Sequence, residues 1–330
     1  MTDLKFLSRF AKFRELGLVF FIVIVSIAVH ARNQEFLTLN NLSNLFTNTA
    51  ILGILSVGMM MVLITGGIDL SIGAVIAFSG MITALTLRTY PGIPLIVLLL
   101  ESSLIGAVIG LITGILVARF SILPIIASLG MMNAMRGMTY LVSGGAWVSA
   151  YQMPDSFKRF ATGKFLGVNN LIVIAIVVFV VFFYFLNFTK TGRRIYAVGS
   201  NREAADIIGL PAKRIVTLVY VLMGFLAGLG GVLWVSKFAS AQGDTALGYE
   251  MNVIASCVLG GIAVSGGRGR VAGLVLGVIL FGILANALPL INVSPFWQQA
   301  IQGFVILAAI ITNVMIKRNN DRANLRRRAI

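Results

Sequence analysis

Five ionisable side chains lie within or beside strongly apolar stretches of this chain: Asp69, Glu101, Arg136, Lys237 and Glu250. In an apolar medium a carboxylate can carry a proton or hold a cation, and an arginine can hold the carboxylate in place. Five such groups are few for a carrier driven by a proton or sodium gradient, which places acidic residues or broken-helix carbonyls at the bilayer midplane. Glu101 and Arg136 stand in consecutive apolar runs and can pair with each other, as a structural ion pair or as a coupling site. Other chemistry is scarce. The single Cys257 has no companion for a disulfide or a metal site, and the single His30 closes the first apolar run. No G-x-x-x-x-G-K-[ST], H-E-x-x-H or G-x-S-x-G stretch occurs. The chain is therefore not expected to hold a nucleotide of its own, and an enzyme is poorly supported.

The elements that must carry these groups are set by composition. Of 330 residues, 58% are hydrophobic and 11% charged, and the mean hydropathy is +0.97. A soluble domain is about one-quarter charged, so most of this apolar surface must face lipid. The expected fold is an all-α polytopic membrane protein, a single transmembrane domain over 1–330. A span needs about 20 apolar residues. Ten stretches qualify, with loose ends: 16–29, 49–64, 70–87, 94–118, 122–142, 170–188, 215–235, 251–264, 271–288 and 296–316. The net charge of +15 would suggest nucleic acid in a soluble protein. Here the basic residues fall in the gaps between spans, and most collect on one side if both termini are cytoplasmic. The basic tail 317–330 is expected to lie against anionic lipid, and no nucleic-acid partner is expected. The N-terminal apolar run has no small-residue cleavage site and is expected to be a retained helix. Gly106/Gly110/Gly114, Gly224/Gly228 and Gly273/Gly277 have the spacing that lets helices approach closely in lipid.

Two polar interruptions stand out. The first, within a cytoplasmic loop 189–214, is Gly192–Pro211, GRRIYAVGSNREAADIIGLP. Ser200 and Glu203 have capping-box spacing, Gly209 suits a left-handed helix end and Pro211 forbids continuation. One short, punctuated helix from Ser200 to Gly209 is expected. The second is Gln242–Glu250, carrying Gln242, Asp244, Tyr249 and Glu250 on the opposite side, where an aromatic-containing segment 143–169 also lies. Between Ile64 and Ser71, the two glycines Gly66 and Gly67 followed by Asp69 are expected to break a hydrophobic region too long for one helix. Asp69 there either caps the next helix or bonds a polar solute. Amide and aromatic side chains suited to bonding and stacking a polar solute include Asn48, Asn133, Trp234, Asn286, Trp297 and Gln298, none distinguished by spacing.

Three segments together resemble the permease subunits of bacterial ATP-binding cassette importers for monosaccharides, the ribose-type family. They are ITGGIDLSIGAVIAFSG (64–80), TGRRIYAVGSNREAADIIGL (191–210) and YEMNVIASCVLGGIAVSGGRGRVAGLVLG (249–277), followed by WQQAIQGFVILAAI (297–310). The resemblance implies location in the bacterial inner membrane and pairing with a second permease subunit. It also implies two cytoplasmic ATPase subunits that bind ATP and Mg, and an extracytoplasmic sugar-binding protein. No cofactor is implied in this chain. By the same resemblance, Gly192, Arg193, Arg194, Ser200, Asn201, Glu203, Ala204, Ala205 and Gly209 belong to a coupling helix that enters an ATPase groove. Gly66, Gly67, Asp69, Ser71 and Asn133 are expected along the transport pathway. Gln242, Tyr249 and Glu250 are expected at the binding-protein face or pathway mouth. Permeases for autoinducer-2 share these segments, and a stand-alone secondary transporter or channel is the reading from another class.

Overall fold

The structure is a computed structural model. It describes residues 2–294 together with Phe296, Trp297, Ala300, Gly303, Phe304, Leu307 and Ile311. Most of the expected span 296–316, including Gln298, and all of the tail 317–330 lie outside the described residues.

The described chain is mostly helical, with little strand. Helices α1 (Thr2–Arg32), α2 (Leu39–Ile64), α3 (Ile72–Thr89), α4 (Leu95–Ala118) and α5 (Pro124–Ser143) come first. A short helix α6 (Asp155–Thr162) and a two-stranded ribbon, β1 (Lys164–Phe165) and β2 (Val168–Asn169), follow. Then come α7 (Asn170–Phe188), α8 (Lys190–Ser200), α9 (Arg202–Ile207), α10 (Ala212–Phe238), α11 (Tyr249–Leu259) and α12 (Val271–Leu290). Among the described residues, seven helices are long and apolar enough to cross a membrane: α1 from Glu15, α2, α3, α4, α7, α10 and α12. Two expected spans differ from that set. The run 251–264 forms only the 11-residue α11, because Gly260 and the left-handed Gly261 (φ 87°) stop it. Helix α5 has 20 residues but is diluted by Ser, Asn, Arg and Thr.

Helix α2 is the axis of the bundle. Every side chain from Thr49 to Ile64 is buried, so it reads apolar on all faces. Around it, α10 packs most closely against α4. Glycines make that contact possible: a Cβ on Gly106 would overlap the Gly224 carbonyl, one on Gly110 the Tyr220 carbonyl, and one on Gly228 the Ser102 carbonyl. The Ser102 hydroxyl donates to Gly228 O at 2.6 Å, tying the seam with a hydrogen bond where lipid supplies no hydrophobic drive. Gly273 and Gly277 dock α12 onto the end of α11 at Gly260 in the same way. All three small-residue repeats are thus packing devices.

The segment between α5 and α7 is folded onto the bundle. The Ser236 hydroxyl on α10 donates to Phe157 O (2.6 Å) and accepts from Ala161 N (3.1 Å), pinning α6. Val148 and Ala241 exchange a pair of backbone hydrogen bonds, both 3.0 Å, which join this segment to the loop after α10. On its exposed surface Lys158 pairs with Asp155 at 2.6 Å, and that hydrogen bond holds the Asp155 carboxyl below the usual carboxylate range.

Candidate functional site: a broken helix wired to the loop 189–214

The break between α2 and α3 is built by backbone chemistry. Thr65 ends α2, and Gly66 follows in the left-handed region (φ 78°). Gly66 N donates to Leu63 O (2.9 Å) and Gly67 N to Val62 O (3.0 Å). This is the paired pattern that satisfies a helix's last carbonyls, and its left-handed position favours glycine. Asp69 is 2% exposed. One carboxylate oxygen accepts from both Ser71 N (2.8 Å) and Ser71 Oγ (2.6 Å), fixing the entry into α3. Ile68 O accepts from the Tyr220 hydroxyl at 3.3 Å, and Gly67 lies so close to that hydroxyl that a side chain there would displace it. The unwound residues are therefore satisfied by protein, as non-helical backbone at membrane depth requires.

Of the two roles open to Asp69, the geometry supports the structural one. An asparagine keeps the accepting oxygen and an alanine does not. Asp69→Asn is expected to accumulate and assemble normally, whereas Asp69→Ala loses about 1–2 kcal/mol of stability, as a lost cap does. Fluorescence-detected size-exclusion and thermal unfolding in detergent check this. An Asp69→Asn protein that assembles but does not transport would instead put the charge in the path.

The loop 189–214 folds differently from expectation. It holds two helices, not one. Helix α8 is capped by Thr189, whose hydroxyl accepts from Gly192 N at 3.0 Å. Helix α9 is capped by Asn201, whose carbonyl oxygen accepts from Ala204 N at 2.9 Å. The cap is Asn201 and not Ser200, because Ser200 is still in the last turn of α8. At the other end Gly209 (φ 76°) does close α9 as expected, with Gly209 N donating to Asp206 O (3.0 Å) and Leu210 N to Ala205 O (2.9 Å). Ala205 is 3% exposed and packs inward, so it is not on a surface that a partner could enter. Arg193, Arg194, Ser200, Asn201, Glu203 and Ala204 are exposed, and Ile207 and Ile208 stand in the open at 85% and 72%. Gly192 is buried against the Phe185 and Leu186 carbonyls, which makes the sharp turn out of α7 possible.

This loop touches the break directly. The carbonyl of Ile64, the last residue of α2, accepts from Gly267 N at 2.8 Å. Gly199, at the end of α8, lies flush on the same carbonyl, and a Cβ there would overlap it. Tyr196 donates its hydroxyl to Gly269 O at 3.0 Å. Burial pushes the Tyr196 phenol up, so it remains a donor. The glycine turn 265–269, the end of α8 and the end of α2 thus form one tight junction. Beside it a cavity of about 230 Å³ is lined by Thr65, Gly66, Gly67, Ser121, Tyr220 and, from α9, Arg202.

At the other end of the bundle the segment Gln242–Glu250 is folded into the protein. Arg136 Nη1 donates to Gly243 O (2.9 Å) and Thr245 O (2.7 Å). Gly243 lies against the Tyr140 ring, and the Ala246 carbonyl comes close to Gly73. Glu250 is 7% exposed and also faces Gly73, with Arg136 near enough to interact electrostatically. Gln242 and Tyr249 are half-buried, and Asp244 is the exposed acid of the segment. Arg136 therefore anchors a loop, and the pairing with Glu101 does not occur. Glu101 Oε1 instead accepts from Thr86 Oγ1 at 3.0 Å. The guanidinium is taken up by the loop carbonyls of Gly243 and Thr245 instead. Asn133 stands on the exposed face of α5 with its amide bonded back to Leu129 O (3.1 Å), away from the break.

The anchoring role of Arg136 and the polar position of Asn252 escaped sequence reasoning, although an amide or guanidinium inside an apolar stretch is itself a signal.

Comparison with known proteins places this geometry. The family described as "Branched-chain amino acid transport system / permease component" matches residues 41–310. Ribose import permease protein RbsC of Bacillus subtilis (strain 168) is 38% identical over 296 residues, 90% of either chain. Ribose import permease protein RbsC of Escherichia coli (strain K12) is 36% identical over 301 residues, 90% of this chain and 92% of the relative. L-arabinose ABC transporter permease protein AraH of Azospirillum brasilense is 34% identical over 307 residues, 93% of this chain and 89% of the relative. No solved structure matches. The chain belongs to the family of transport-system permease components and is a multi-pass protein of the bacterial inner membrane.

Proposed function

We propose that this chain is the membrane permease of an ATP-driven importer that carries a pentose or similar monosaccharide into the cytoplasm. The observation that carries the reading is similarity along nearly the whole chain to ribose and arabinose permeases. In this reading about ten helices span the membrane, with both termini cytoplasmic. The basic residues of the loop 189–214 and the 265–270 turn then share the cytoplasmic side.

The work is divided by position. Helices α8 and α9 receive the ATPase subunits, with α9 presenting Ile207 and Ile208 as an apolar contact and Arg193, Arg194 and Arg202 as cationic flanks. A displacement of α8 passes into Ile64 and the Gly66–Ser71 break through the shared glycine junction. The break opens or closes the inner cavity. The far end, built from 144–169 and 239–248, receives a sugar-binding protein. The open face of α5, with Gly130, Asn133 and Gly137 unobstructed, faces a second permease subunit across the path. ATP and Mg belong to the partner subunits.

Co-expression with the candidate ATPase and binding protein tests the reading. The expected result is a stable complex whose ATP hydrolysis and vesicle uptake respond to D-ribose or L-arabinose. Failure of any ATPase to co-purify, or transport by this chain alone, would overturn it.

A further inference from the structure

A second cavity, of about 170 Å³, opens between α2, α11 and α12, in the half of the bundle nearer the 239–248 loop. It is far above the roughly 10–15 Å³ that one water requires. Its ten lining residues carry no charge, so neither an ion nor a carboxylate is its natural guest. They include Asn48 on α2, Tyr249 and Asn252 on α11, and Phe281 and Asn286 on α12.

The polar groups divide into those already bonded and those left over. Asn286 is committed: it and Asn41 exchange amide hydrogen bonds of 2.9 and 3.1 Å, which closes one side of the cavity. Thr49 is bonded back to Leu45 O. The Asn48 amide, the Asn252 amide and the Tyr249 hydroxyl make no hydrogen bond to any described residue, although all three line the same space. Each amide offers two donors and an accepting oxygen, and the phenol can do both. That is the inventory for neighbouring hydroxyls, each of which donates and accepts. The Tyr249 ring is held edge-to-face by Trp234, with centroids 5.0 Å apart, and Trp234 in turn packs on Phe238 at 4.9 Å. A rigid aromatic wall facing uncommitted amides suits a ligand with both apolar C–H faces and hydroxyl edges.

We propose that this cavity is a sugar-binding site of the permease itself, in which Asn48, Asn252 and Tyr249 bond a neutral polyhydroxylated ligand. The inference rests on the importer reading above. It gives the membrane subunit its own selectivity.

The test uses the assembled complex in vesicles with radiolabelled D-ribose and L-arabinose. Asn48→Ala and Asn252→Ala are each expected to cut sugar uptake by about 3- to 10-fold, the scale of one lost neutral hydrogen bond, with co-elution of the complex as the folding control. Ala285→Phe fills the cavity without removing a polar group and is expected to block uptake. In Asn252→Cys, labelling by a small maleimide is expected to slow in the presence of the transported sugar. Cys257 is fully buried and supplies little background. Uptake at the parental rate in both alanine variants, or labelling indifferent to every transported sugar, overturns the site. A parent complex that transports no sugar overturns the importer reading and this inference together, which separates the two failures.

Discussion

Replacing Ile207 or Ile208 with aspartate is expected to strip the ATPase subunits from the complex while leaving this chain folded. Both side chains project from the end of α9 into the open, at 85% and 72% exposure, and contribute little to the chain's own core. An isolated pair of exposed isoleucines beside three arginines fits the pattern of an apolar anchor with a polar rim. Burying an aspartate in place of such an anchor costs about 2 kcal/mol or more of association, roughly 30-fold in affinity. Co-elution on size-exclusion and sugar-dependent ATP hydrolysis read the effect. The neighbouring substitution Ala205→Trp is the contrast. Ala205 is packed against this chain, so its replacement is expected to reduce accumulation of the permease itself. Full ATPase retention by both isoleucine variants would remove α9 from the coupling surface.

The second large effect is expected at the α4–α10 seam. A Cβ on Gly224 would meet the Gly106 carbonyl and the Gly110 Cα, both of them backbone atoms that cannot rotate away. Gly224→Ala is therefore expected to separate the helices and cost roughly 1–3 kcal/mol, with Gly224→Leu preventing stable accumulation. Gly130 and Gly137 on α5 have nothing within 4 Å of an added Cβ. At those two positions alanine is expected to be neutral or to stabilise by up to about 1 kcal/mol, because it restores helix propensity. Thermal unfolding of the three alanine variants in one detergent makes the comparison, and the yield of Gly224→Leu is read separately. Equal melting of Gly224→Ala and Gly130→Ala would show that the seam is not tightly packed.

The first of these experiments tests the proposed link between the ATPase subunits and the path. Helix α8 lies on the terminal carbonyl of α2 through Gly199, and the glycine turn 265–269 shares that carbonyl through Gly267. With no side chain interposed, a shift of the loop has little slack to absorb before the Gly66–Ser71 break responds.

Much of this protein was determined by its sequence alone. Apolar run lengths located seven of the ten expected spans, since lipid leaves a backbone few other ways to satisfy its hydrogen bonds. Local backbone chemistry set the punctuation: Gly66 and Gly209 are both left-handed helix ends, and Asp69 bonds the start of α3. The small-residue spacings indicated the packing faces. Three features required the tertiary structure. Asn201 displaced Ser200 as the cap because a helix that the polar pattern did not announce, α8, runs through Ser200 and sets Gly199 against the end of α2. Arg136 chose two loop carbonyls over Glu101, a choice made by which groups the bundle brings within reach. The uncommitted amides of Asn48 and Asn252 lie more than 200 positions apart in the chain, and only the packing of α2 against α11 and α12 brings them around one cavity. Spacing along the chain reports which face of an element is apolar; it carries no information on which distant polar group will share a wall with another.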